Sequence, residues 1–70
     1  MSFKEFLKIE CEQEGIVLPG DFDYITDGEE LFTTTVLEQY DILNYRDEYL
    51  AYCEKNGITP DIDLDLDTLV

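Results

Sequence analysis

Phe3, Phe6, Leu7 and Cys11 recur every three or four residues, which places them on one face of a helix with Ile9 at its flank. Ser2 and Glu5 stand at capping-box spacing, and Gly15 followed by Ile16 has the form of a helix stop. The pattern predicts a helix over residues 3–14. Ile16-Val17-Leu18 is a short β-prone run cut off by Pro19-Gly20, and Phe22 to Ile25 suits a second short extended piece. Asp27 with Glu30 begins another capping box, and from Gly28 to Asn56 the character is helical. Two places are open to a break. One is Thr33-Thr34-Thr35, weak helix formers with Thr35 and Glu38 as a new cap, and the other is residues 44–46, where Asn44 and Asp47 offer the same.

Within that region Leu31, Phe32, Val36, Leu37, Tyr40, Leu43, Leu50 and Cys53 form the main apolar stripe, expected to face Phe3, Phe6 and Leu7. Ile42, Tyr45, Tyr49 and Tyr52 form a second row beside it, expected at the core edge with wet hydroxyls. Tyr45, Tyr49 and Tyr52 are also the candidate face of a homodimer. Lys55-Asn56-Gly57 with Pro60 beyond it reads as a helix end.

From Asp61 to Asp67 the period changes to two: Asp61, Asp63, Asp65 and Asp67 alternate with Ile62, Leu64 and Leu66. Extended, such a segment turns its aliphatic side one way and its carboxylates the other. It is either an apolar ribbon held on the domain or an acidic tail. The expected architecture is mainly α, an N-terminal helix packed on a longer bent helix or helix pair, with an extended acidic C-terminal segment. A small α+β fold that pairs the β-prone pieces is the alternative. The domain division is 1–59 for the compact part and 60–70 for the alternating segment.

Charge changes this picture most. The 70 residues hold eighteen Asp or Glu, four Lys or Arg and no His, for a net charge of −14. Disorder is the first expectation for such a balance, but 44% apolar and 13% aromatic residues are enough to fold. A chain with only Lys4, Lys8, Arg46 and Lys55 cannot build the basic patch that nucleic acid or an anionic membrane requires. No stretch reaches the roughly 20 apolar residues of a membrane span, and Met1 to Glu14 lacks the apolar run of a signal peptide. A cytoplasmic protein with reduced thiols is expected, Cys11 and Cys53 being buried as small apolar residues.

Catalysis through Ser-His or Cys-His pairs is excluded, because there is no His to act as base. Carboxylate pairs arise by chance among eighteen acids and carry no signal, so no enzyme is expected. Asp21, Asp23, Asp27 and Glu30 cluster as in a calcium loop, yet counting from Asp21 puts Ile25, Thr26 and Phe32 at positions 5, 6 and 12. The four glycines are isolated, so no phosphate loop exists. No cofactor or metal is expected. Thr68-Leu69-Val70 matches a PDZ-type ending, a pattern of three residues that recurs by accident.

What remains is where the charge lies. Residues 1–20 carry −2, residues 21–56 carry −8 and residues 57–70 carry −4, so the N-terminal helix is the least acidic part. Asp21, Asp23 and Asp27, Glu29 and Glu30 at a helix start, Glu38, Asp41 and Glu48 along the helical region, and Asp61, Asp63, Asp65 and Asp67 in the tail are the candidate partner-binding residues. Outward aspartates on an extended tail repeat every 6.5–7 Å or so, of the order of phosphate spacing along a nucleic-acid strand. In size, charge and acidic rows the chain resembles the small acidic DNA mimics of phages and mobile elements, the anti-CRISPR and anti-restriction inhibitors. The resemblance implies an inhibitor that occupies the basic DNA or RNA site of a nucleic-acid-binding protein or nuclease complex. The competing expectation is a protein-interaction module in which Ile62, Leu64, Leu66 and Leu69 are the anchors and the acids steer.

Overall fold

The computed structural model describes residues 1–69 and is mainly helical. Three α-helices follow in order, α1 over Phe3–Gln13, α2 over Gly28–Thr34 and α3 over Gln39–Asn56, with short 3-10 turns at Phe22–Tyr24 and Asp67–Leu69. Val70 and the carboxylate that would serve a PDZ-type groove lie outside the described residues.

Helix α1 starts where its sequence marks it, with Glu5 N–H donating to the Ser2 hydroxyl at 3.3 Å. Both α1 and α3 end on a glycine with positive φ, Gly15 and Gly57. In each case the next residue closes the end: Ile16 N–H donates to the Cys11 carbonyl and Ile58 N–H to the Cys53 carbonyl, both at 2.8 Å.

Two expectations fail along the linkers. Ile16 to Leu18 pairs with no strand, and Phe22 to Tyr24 is a 3-10 turn rather than an extended piece. The only β-type pairing among the described residues is an isolated parallel bridge between Asp27 and Asp65, so the α+β alternative does not hold.

The helical region divides at Thr35, the first of the two anticipated places. Thr35 Oγ1 donates to the Leu31 carbonyl at 2.8 Å and accepts from Leu37 N–H at 3.1 Å, which stops α2. The new N-cap is Glu38, whose N–H donates to Asp41 Oδ2 at 3.2 Å. Residues 44–46 continue α3 without a break, so Asn44 caps nothing. Four non-helical residues shift the phase of everything after them. The α3 face that meets α1 is therefore Ile42, Tyr49 and Cys53, drawn from both rows, while Tyr40 and Leu50 of the expected stripe are exposed.

Tyr49 is the centre of the core. It is 0% exposed, its ring lies 5.7 Å from that of Phe3 and 5.5 Å from that of Phe6, and its hydroxyl is not wet. The hydroxyl donates to the Met1 carbonyl at 2.7 Å and accepts from Asp61 N–H at 2.8 Å. A tyrosine buried in this way cannot belong to a dimer face, which corrects the expectation for Tyr45, Tyr49 and Tyr52 as a row.

The C-terminal segment is the apolar ribbon. Leu64, Leu66 and Leu69 are buried in the same core as α1 and α3, and Asp61, Asp63, Asp65 and Asp67 are exposed. It lies against α2: Gly28 N–H donates to the Asp65 carbonyl at 2.7 Å and Asp65 N–H to the Thr26 carbonyl at 2.8 Å. Gly28 is needed for this approach, because a Cβ there would meet the Asp65 carbonyl oxygen at 2.9 Å and Leu69 Cδ1 at 3.0 Å. With Leu64, Leu66 and Leu69 used internally, Ile62 is the one of the four expected anchors left exposed.

Candidate acidic interaction surface

The basic side chains are accounted for first, because they decide which acids are free. Lys4 and Lys8 both lean over the Phe22 ring, their Nζ atoms 5.8 and 5.9 Å from its centroid. Lys4 Nζ donates to the Asp23 carbonyl at 2.9 Å and Lys8 Nζ to Asp23 Oδ1 at 3.1 Å. Arg46 pairs with its neighbour Asp47 at 3.2 Å. Three of the four cations are thus spent within the molecule, two of them on one small area beside Asp23 and Asp63.

The twelve candidate acids separate by what they accept. Asp63 Oδ1 takes Lys4 N–H at 3.0 Å, in the first turn of α1, where a negative charge is favourable. Asp27 Oδ1 takes Glu29 N–H at 2.8 Å and the Thr68 hydroxyl at 3.0 Å, so it caps α2 and ties down the tail together. Asp65 Oδ1 takes Asp67 N–H at 3.1 Å, and Asp41 takes Glu38 N–H. Glu29 and Glu30 lie in the first turn of α2, again with the helix dipole. Asp21, Glu38, Glu48, Asp61 and Asp67 are exposed. Glu38 lies outside α3 as its N-cap, while Asp41 and Glu48, two turns apart, share a face.

That face is joined by residues the sequence pattern did not single out. Burial raises the Tyr45 phenol pKa, and the nearby Glu14, Glu48 and Asp41 carboxylates push it the same way. Burial also pushes the Cys11 thiol up to about 11, with Glu10 and Glu14 adding to the effect. Glu10 and Glu14 thus lie near Cys11 of α1, and Glu14, Asp41 and Glu48 lie near Tyr45 of α3, along one seam between the two helices. The N-terminal helix is the least acidic part only in sum. Its lysines sit in its first half and turn to Asp23, which leaves Glu10, Glu12 and Glu14 unopposed at the end where the helix dipole is negative. Three acids and no base at a helix C-terminus is the signal by which they were legible.

Among the described residues no three Cys, Asp or Glu side chains come together as a metal site, and no helix is long and apolar enough to cross a membrane. Compared with protein-family models, with curated proteins and with solved structures, the chain matches none.

Proposed function

We propose that this chain is a non-enzymatic acidic mimic of DNA. In this reading it inhibits a nucleic-acid-binding protein or nuclease complex, of the anti-CRISPR or anti-restriction type, by occupying its basic DNA or RNA site in the cytoplasm of a host cell. The observation that carries the proposal is the α1–α3 seam. The carboxylates of Glu10, Glu14 and Glu48 accept no hydrogen bond among the described residues; Glu14 lies close enough to perturb both Cys11 and Tyr45, Glu10 perturbs Cys11 and Glu48 perturbs Tyr45, and Glu10 and Glu14 stand at a helix C-terminus where negative charge is unfavourable. Carboxylates held against stability in a body of −14 form the field that phosphate-contacting lysines and arginines are built to meet.

The test is capture from host extract on immobilised protein, followed by elution with duplex DNA or structured RNA at fixed salt. The expected result is a nucleic-acid-binding protein that the competing nucleic acid displaces and that binds more weakly as salt rises. Reversal of Glu10, Glu14 and Glu48 to Lys should abolish capture while the circular dichroism spectrum stays helical. Capture that survives this triple reversal, or that nucleic acid does not displace, rules the proposal out.

A further inference from the structure

Between α2, the 35–38 link and the first turns of α3 runs an open apolar groove of about 540 Å³, lined by Phe32, Glu38, Gln39, Tyr40, Leu43 and Leu69. Tyr40 on its wall is 60% exposed, and Val36 on the adjoining link is 79% exposed. Both belong to the stripe that the sequence assigns to the core, and the break at Thr35 leaves them outside it. Exposed apolar area around a groove is the ordinary mark of a binding surface.

We propose that this groove seats one bulky apolar side chain, aromatic or long aliphatic, projecting from the basic surface of a protein partner. The inference rests on the reading of the chain as a mimic that meets a cationic site. Charge selects the occupant. Glu38 lines the groove, Asp41 follows in the same turn as Tyr40, and the whole body carries −14. A second copy would bring −14 against −14, and nucleic acid or an anionic bilayer is repelled in the same way. A cationic protein surface is drawn in, and an apolar side chain upon it finds Phe32, Leu43 and Tyr40. Carboxylates then set the encounter and its salt dependence, and the groove adds affinity that salt does not screen.

Two synthetic peptides of mixed Lys and Arg, alike except for a central Trp in one and Ser in the other, serve as probes by titration calorimetry. The Trp peptide should bind on the order of tenfold more tightly, the effect of one well-seated aromatic anchor. The advantage should persist when salt is raised to about 0.5 M, where the Debye length falls to a few ångströms, and the Leu43 and Leu69 methyl resonances should shift. Tyr40→Ser, at an exposed position and therefore without effect on the melting temperature, should remove the advantage and leave Ser-peptide affinity unchanged. Equal affinity of the two peptides for the native chain overturns the groove proposal and leaves the acidic mimic standing. Absence of binding by either peptide at low salt overturns both. Equally tight binding of Trp flanked by neutral residues, or self-association that Tyr40→Ser abolishes, shows a different occupant and overturns the groove proposal.

Discussion

Where the C-terminal ribbon crosses α2 and reaches the start of α1, three carboxylates are occupied: Asp27 caps a helix and holds Thr68, Asp63 receives Lys4 N–H, and Asp65 receives Asp67 N–H, while those of Asp61 and Asp67 accept nothing among the described residues. Across the α1–α3 seam the carboxylates of Glu10, Glu14 and Glu48 accept nothing from the described residues, and their neighbours are a thiol and a phenol whose ionisation they oppose. The first region has the denser run of acids in sequence and uses three of them in the fold, whereas none of the three at the seam is used in this way. Acidic residues per unit of chain is thus a poor guide to which carboxylates the fold leaves free. Removing acids of the first kind weakens the fold, and removing acids of the second kind strengthens it.

The largest effect expected lies in the occupied region. Leu64→Ala empties a site buried among core residues and should cost about 2–5 kcal/mol, most of what a domain this small possesses. Gly28→Ala, which forces a methyl against the Asp65 carbonyl and Leu69, should cost about 1–3 kcal/mol. Urea denaturation followed by circular dichroism measures both. An unmoved Leu64→Ala midpoint would show the ribbon to be dispensable and dissolve the contrast.

The seam should announce itself at alkaline pH. Cys11 titrates near 9.0 when unperturbed and is raised to about 11 in the fold, so the folded state holds its proton more tightly. Its contribution is complete below pH 9 and is lost as pH rises from 9 through 11, on the order of 2 kcal/mol. The raised Tyr45 and Tyr49 phenols act in the same direction above pH 10. Denaturation midpoints at pH 8 and pH 10.5 should differ less in Cys11→Ala than in the native chain. A difference of the same size in both would remove Cys11 from the account.

At the boundary between the two regions, Asp63→Ala removes the acceptor for Lys4 N–H and a charge at the positive end of α1. A loss of about 0.5–2 kcal/mol is expected, the usual range for a helix cap. Asp61→Ala, whose side chain accepts nothing among the described residues, is the control and should change little. If the two variants melt alike, the aspartates of the ribbon are interchangeable surface charge after all.

Local signals were legible where they were self-contained. The Ser2 cap, the Gly15 and Gly57 stops and the inward face of the alternating ribbon each depend on residues within a few positions of one another. The burial of Tyr49 was not legible, because its hydroxyl is satisfied by Met1 and Asp61, 48 and 12 positions away, and no local pattern records such partners. The exposure of Tyr40 and Val36 was missed for another reason: a helical stripe carried across a non-helical link loses its phase. The amount of acid was legible, but the seam was not singled out, since the tail drew attention by its period and the seam is assembled from two helices distant in sequence.

The smallest effect has the opposite sign and separates the two regions most sharply. Glu14 is the C-cap residue of α1, it acts on the Cys11 thiol together with Glu10 and on the Tyr45 phenol together with Glu48, and it forms no salt bridge among the described residues. Glu14→Gln keeps the size and the backbone and removes only the charge. It should therefore relieve both the unfavourable dipole interaction and the mutual repulsion, raising stability by about 0.3–1 kcal/mol at low salt. Because the gain is electrostatic and exposed, it should shrink toward zero in about 0.5 M salt, where the Debye length is a few ångströms. The same substitution should weaken capture of a basic partner, so that stability and binding move in opposite directions on one residue. Thermal melts at two salt concentrations read the first half and competition binding reads the second. A Glu14→Gln protein that is less stable than its parent would mean that the seam carboxylate has a structural role, and the distinction between occupied and free acids would fail at its clearest point.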